Sequence, residues 1–408
     1  KDGSFYTPSQ ITMYMCKGTL RSALVQKFKE LENDQIVNYE DLSAYCHNFF
    51  KPADRQRLNN VFNSIKICDP AVGSGHFLVS ALNELIIIKH ELGILIDAKG
   101  NRLSDYDIEL VNDELYITDE KGFLIEYKPE NNESTRLQHT LFYEKRAIIE
   151  NCLFGVDINP NSVKICRLRL WIELLKNTYY TNEGVLDTLP NIDINIKCGN
   201  SIISRYKLDD DLTKSFKGIN YNYKDYKAAV KQYKATKSKE EKNRVLSIIK
   251  EIKANFKSSF DSKAIKARQL IVGKYESEKA RQENLVTLYK EKITKQEKAK
   301  LKSLKKQAEN ALASEQEILN NVIFENAFEW RFEFPEVLDE KGNYIGFDAV
   351  IGNPPYGVSI KGNERQFLVD SLGKVPDFEI YYWFINHGHE ILKENGNISY
   401  IIPNTILF

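Results

Sequence analysis

Ser64-Ile65-Lys66-Ile67-Cys68-Asp69-Pro70-Ala71-Val72-Gly73-Ser74-Gly75-His76-Phe77 is the stretch on which the reading of the fold turns. Its first six residues read as a short buried strand, and a Gly-x-Gly turn follows. Leu78, Ala81, Leu82, Leu85 and Ile86 then recur at helical spacing. Strand, glycine turn and helix in that order let backbone approach a ligand at the carboxyl edge of a parallel sheet. The third glycine of a dinucleotide fingerprint is absent, and no Lys-Ser/Thr pair follows to make a phosphate loop.

A second unit of this kind is Leu153-Phe154-Gly155-Val156-Asp157-Ile158-Asn159-Pro160, an apolar strand ending in an acid with a helix opening near Pro160. An acid there suits a bidentate grip on ribose hydroxyls. It suits a helix N-cap equally well. A third strand, Phe347-Asp348-Ala349-Val350-Ile351, runs into Asn353-Pro354-Pro355-Tyr356. Two prolines remove two N–H donors, so this stretch cannot extend a sheet ladder. The Pro354 carbonyl and the Asn353 side-chain oxygen are two acceptors beside the flat face of Tyr356. Such a set matches a planar group bearing NH₂: the exocyclic amine of adenine or cytosine, or a side-chain amide.

Together these segments resemble a gamma-class N6-adenine DNA methyltransferase of the type IIG restriction–modification enzymes. Phe5-Tyr6-Thr7-Pro8 is similar to the N-terminal motif that closes over the methionine end of S-adenosyl-L-methionine, and Asp69 to Phe77 to the family's Asp-Pro-Ala-x-Gly-Ser-Gly-x-Phe cofactor loop. The resemblance implies a cofactor site made by Tyr6, Thr7, Pro8, Asp69, Pro70, Ala71, Gly73, Gly75, His76 and Phe77. Asp157 would take the ribose, with Ile158 packed on the cofactor's adenine. Asn200 and Ser201, in Cys198-Gly199-Asn200-Ser201, would read the adenine edge. Asn353, Pro354, Pro355 and Tyr356 would be catalytic, and Asn397 to Pro403 would form the fifth strand.

Composition sets the remaining bounds. A chain of 408 residues with 42% hydrophobic content buries a sizeable core. Six scattered cysteines without a C-x-x-C pair argue for reduced thiols, a cytoplasmic location and no zinc site. His387 and His389 are close in sequence, but on an aromatic helix they are expected to pack locally or lie at its surface. No apolar run reaches membrane-span length. The zero net charge hides an asymmetry: residues 205–325 hold 29 Lys+Arg against 17 Asp+Glu, and the remainder holds 28 against 40. From Tyr221 to Asn320 the chain reads as a long helical hairpin, with Leu301, Leu304, Ala308, Ala311, Ile318 and Leu319 as its apolar stripe. It is either a basic arm for phosphate or a sister domain, or a solvated pair of helices. Residues 97–138 alternate as a β-meander would, with turns at Asn112-Asp113 and Lys121-Gly122.

The expected architecture is a doubly wound, Rossmann-like α/β methyltransferase sheet carrying these two insertions. Strands are expected near 64–69, 153–157, 193–198, 346–351 and 397–402, and helices near 76–92, 160–176 and 376–394. Residues 1–204 would hold the cofactor-binding half, 205–325 the helical insertion and 326–408 the catalytic half. The family carries two strands beyond the fifth and a domain that reads target bases. The resemblance therefore implies a sheet left open at its fifth strand, double-stranded DNA as partner, a target-recognition region or subunit beyond Phe408, and any nuclease outside these residues. Protein glutamine methylation, N4-cytosine methylation and a non-catalytic DNA-sensing defence subunit are the alternatives.

Overall fold

A computed structural model of the chain describes residues 7–180, 193, 195–209, 223–236, 238–287, 292–320, 324 and 326–407. Three helices open it, α1 (Ser9–Leu31), α2 (Tyr39–His47) and α3 (Pro52–Phe62). Asn38 and Asp41 form a reciprocal capping box that starts α2. Then come β1 (Ile67–Asp69), α4 (His76–Glu91), β2 (Tyr106–Val111), β3 (Glu114–Asp119) and α5 (Asn132–Asn151). They are followed by β4 (Leu153–Asp157), α6 (Pro160–Leu175) and β5 (Ile196–Cys198). Helices α7 (Tyr223–Ala235), α8 (Lys239–Thr287) and α9 (Lys295–Asn320) precede the short α10 (Trp330–Glu333). The last elements are β6 (Phe347–Gly352), α11 (Gly362–Leu372), α12 (Ile380–Ile391) and β7 (Leu392–Tyr400).

Strands order as β5-β4-β1-β6-β7, and every pairing in the sheet is parallel. The chain order reverses between β1 and β6, which makes their carboxyl ends the switch point where open α/β sheets hold ligands. This is the doubly wound sheet expected from the sequence. β1 is shorter than the six residues first read as a strand. The amides of Ser64 and Ile65 close turns onto Val61 and Phe62, and the Lys66 amide donates to the Asp348 carboxylate rather than to a ladder. β7 begins earlier than expected, at Leu392, and passes an irregularity before pairing Asn397–Tyr400 with Ala349–Gly352. It forms one edge of the sheet. The expected helix over 376–394 divides into a 3₁₀ turn at Pro376–Phe378 and α12, because Asp377 and Phe378 take positive φ. His387 is buried beside the Trp330 ring and His389 is exposed.

The smaller insertion is a β2–β3 hairpin whose two turn residues, Asn112 and Asp113, both have positive φ, as a tight two-residue hairpin requires. A single bridge from Thr118 to Leu124 extends it towards a third strand. Helix α5 already starts at Asn132, inside the stretch first read as β insertion. In the larger insertion α8 and α9 run antiparallel, since Glu278 meets Lys300 while Arg281 meets Glu297. Ala308 and Ala311 are buried and Leu301 and Leu304 half-buried, as the apolar stripe requires, whereas the side chains of Ile318 and Leu319 lie outside the described residues.

Beneath the sheet α3, α4 and α5 are joined by one buried polar network. Lys89, fully buried, donates to Asn59 and Asn63 at 2.7 Å each and to Glu144, and Asn59 donates to Glu144 at 2.8 Å. Removing one ion of such a set strands the other without water. Lys89→Met should cost about 3–5 kcal/mol in urea unfolding, and adding Glu144→Leu should recover most of it. A single variant as stable as the parent would remove this network from the account of the fold.

Candidate active site

Gly75 decides how the glycine loop sits. It has φ +82°, and a Cβ there would lie 2.5 Å from Cys166 Sγ on α6, so only glycine lets the loop pass. Gly73 also has positive φ, and a Cβ there would meet nothing nearer than 3.9 Å, which leaves that face of the loop open. The Asp157 carboxylate grips the loop: Oδ2 accepts from the Gly73 amide at 2.9 Å, and Oδ1 accepts from the Asn159 amide at 2.7 Å. Asp157 is not the N-cap of α6. That role falls to Asn159, whose side chain accepts from the Asn161 amide ahead of Pro160 at the first turn. Two bonds leave lone pairs free on the Asp157 carboxylate. Burial raises its pKa and the two backbone donors oppose that rise. Ile158 beside it is 58% exposed, an apolar surface at a strand end.

Asp69 ends β1 and is 1% exposed, its Oδ1 accepting from the Ala71 amide at 2.9 Å. Burial, with the nearby Asp157 charge adding to it, raises its pKa to about 8 against the pull of that amide. A Cβ on Gly352 would stand 2.6 Å from Asp69 Oδ1, so the end of β6 fits against this carboxyl group only as glycine. Sequence reading overlooked Gly352. The signal was its position one residue before the Asn-Pro-Pro-Tyr turn, where a strand must close on its neighbour.

Thr7 and Asn353, 346 residues apart, meet at 3.1 Å, Asn353 Nδ2 donating to Thr7 Oγ1. The Asn353 amide is thereby oriented, and its Oδ1 is buried with no hydrogen-bond partner among the described residues. No backbone N–H among the described residues donates to the Pro354 carbonyl. Tyr356 is half-buried, and the loop after it is pinned where the Gly357 amide donates to Glu379 at 3.0 Å. Pro8 precedes the first residue of α1. Tyr6 lies outside the described residues.

Other expected residues are drawn into the frame. Pro70 and Phe77 are buried, and half-buried Ala71 packs on the cluster around Ile202 and Trp383. Asn200 donates to Glu364 on α11 at 3.3 Å, while Ser201 is buried and its carbonyl accepts from the Trp330 indole at 2.9 Å. His76 belongs to a link that sequence reading missed altogether. Its Nδ1 lies 3.9 Å from Asp113 Oδ2 at the hairpin tip. Burial and then Arg169 lower its pKa, while the Thr7 carbonyl raises it. Asp113, His76, Thr7 and Asn353 thus run from the β2–β3 hairpin to the end of β6. An alternating strand pattern does not disclose which turn residue plugs into a distant loop. Among the described residues no group of three His, Cys, Asp or Glu is placed to hold a metal ion, and no helix is long and apolar enough to cross a membrane.

Two measurements probe this packing. Gly352→Ala should cost about 1–3 kcal/mol by forcing β6 off Asp69. Gly273→Ala in α8, with nothing within 4 Å, should be neutral or stabilising. Asp69 has a folded pKa of about 8, above its ordinary value, so the folded state holds the extra proton. Relative to Asp69→Asn, the parent should lose stability as pH rises from about 4 to 8 and hold level above that. A difference independent of pH would contradict a protonated Asp69.

The chain is 28% identical, over 99% of its own length, to a Methanocaldococcus jannaschii protein named "Putative type II restriction enzyme and methyltransferase". It spans 32% of that relative's length. The profile of the Eco57I restriction-modification methylases matches residues 151–408, more than half of the chain and the part holding β4 to β7 with the Asn-Pro-Pro-Tyr turn. This chain belongs to the Eco57I restriction-modification methylase family.

Proposed function

We propose that the protein methylates the N6 amine of adenine in double-stranded DNA, with S-adenosyl-L-methionine as methyl donor. The observation that carries this reading is the buried Asn353 Oδ1, without a partner among the described residues, beside a Pro354 carbonyl that no described backbone N–H uses. An unsatisfied buried acceptor is costly, so a site that keeps one is built for a donor that arrives with the substrate. The adenine amine brings two N–H groups, one for each oxygen.

Its nitrogen lone pair is delocalised into the ring and is a poor nucleophile. With both N–H groups held by Asn353 and Pro354, the nitrogen is drawn towards tetrahedral geometry and its lone pair is aimed. Thr7 keeps the Asn353 amide from turning its NH₂ towards the substrate. A base inside a duplex must leave the stack to reach this pair, and Tyr356 offers it a stacking face. S-adenosyl-L-methionine, when bound, supplies an electrophilic methyl group.

The residues at the sheet edge fit that donor. The free lone pairs of Asp157 suit ribose hydroxyls, and exposed Ile158 suits one face of its adenine. The Asn200 amide has an adenine edge to read, and the open side of Gly73 admits close approach of the ligand. Asp69, Gly75 and Thr7 shape the methionine end.

Asp157→Ala should weaken binding of S-adenosyl-L-methionine in calorimetry by about 1–3 kcal/mol. Asn353→Ala should leave that affinity nearly unchanged while methyl transfer to unmethylated genomic DNA falls steeply, because its contact is made to the acceptor amine. Mass spectrometry of the digested product should show N6-methyladenine. N4-methylcytosine, or label found only in protein, would replace adenine as the substrate. Full transfer by Asn353→Ala would overturn the catalytic assignment.

A further inference from the structure

We infer that the α8–α9 hairpin is a phosphate-contacting arm, with a lysine stripe on α9 that lies along the backbone of duplex DNA. Lys295, Lys298, Lys302, Lys305 and Lys306 are all exposed. At 100° per residue they fall within an arc of about 100°, and from first to last they extend about 16 Å along the helix. Leu301, Leu304, Ala308 and Ala311 lie on another face, the one turned to α8. Among the described residues no carboxylate pairs with Lys295, Lys298, Lys302 or Lys306, and Lys305 meets only exposed Glu309 at 3.8 Å.

The acids near the stripe are committed elsewhere. Glu278 is buried between the helices and meets Arg281 at 2.9 Å and Lys300 at 3.0 Å, a set that holds its pKa down to about 2. Glu297 meets Arg281 at 2.9 Å and forms a reciprocal capping box with Thr294 at the start of α9. Glu278 and Glu297 therefore set the register of the two helices, while the five lysines of the stripe face solvent. A row of like charges along one face of a helix opposes itself, and a partner with a regular line of anions relieves that opposition. Duplex DNA carries one phosphate per about 1.7 Å of axis, and neutralising it releases condensed counterions.

The choice of duplex as the polyanion rests on the reading of the protein as a DNA methylase. Binding and methylation are therefore to be measured separately. Anisotropy of a labelled duplex of arbitrary sequence, titrated with the intact protein across a salt series, reports the phosphate contacts. Changing the five lysines to Gln should flatten the slope of log K against log salt by about three to five units, and affinity at low salt should drop on the order of a hundredfold. The matching Lys→Arg variant should bind as the parent does. A control variant with Lys17, Lys29, Lys51, Lys99 and Lys121, exposed lysines of the first part of the chain, changed to Gln should keep most of the slope.

Equal loss in the control would reduce the effect to net charge and overturn the arm. Unchanged slope in the α9 variant would do the same, even in a protein that methylates DNA. Loss of binding to RNA or heparin with duplex binding intact would overturn the duplex assignment. A parent that binds duplex through the stripe yet transfers no methyl group would leave the arm standing while the proposed function fell.

Discussion

The pairing of β1 with β6 is the contact on which everything else at the site depends. It joins Ile67 and Cys68 to Ala349 and Val350, about 280 positions further along, and so lays the end of one strand against the end of the other. Parallel pairing at such separation carries a large loop-closure cost, and a buried apolar interface has to outweigh it. The interface leaves no slack: Gly352 passes Asp69 with no room for a Cβ. The Asn-Pro-Pro-Tyr turn follows directly from that contact at the end of β6. Asp348 locks the other end of β6, accepting from Lys27 of α1 at 3.0 Å and from the Lys66 amide at 2.8 Å.

The same economy of contacts ties the periphery to the centre. Asp157, read from the sequence as either a ribose ligand or an N-cap, holds the Gly73 amide, so the acid at the end of β4 shapes the glycine loop. The hairpin delivers Asp113 to His76, and Thr7 carries the link on to Asn353. An insertion of this kind stabilises the carboxyl edge of the sheet from outside. It does so with polar groups that are nearly dry, where each hydrogen bond is stronger and each missing partner more costly.

Much of the candidate site was legible in the chain because its residues announce themselves locally. Two successive prolines, a Gly-x-Gly turn and an acid closing an apolar strand have few conformations open to them, and each sets out donors and acceptors whose chemistry can be read directly. Strands β4 and β6 stand within a residue of where alternation and apolar runs put them. β1 and β7 differ because their ends are set by neighbours: the Asp348 side chain takes the Lys66 amide, and β7 follows an irregularity against β6. Helices α1 to α3 had no signal as strong as the motifs, and the Lys89–Glu144 network that ties α3 to α4 and α5 is invisible to any one-dimensional pattern.

By itself, then, the sequence determined the order of the strands along the chain, the class of sheet, the acceptor pair at Asn353 and Pro354, and the concentration of positive charge in residues 205–325. These follow from backbone restriction, side-chain period and composition, which act over a few residues at a time. Tertiary structure alone decided that Asn353 leans on Thr7, that Asp69 is dry enough to keep its proton near neutral pH, that Asn159 rather than Asp157 caps α6, and that Glu278 and Glu297 are taken up in joining α8 to α9. Each of those depends on which groups lose water and which find partners across hundreds of residues, and solvent exclusion and pairing at that range exist only once the sheet has closed.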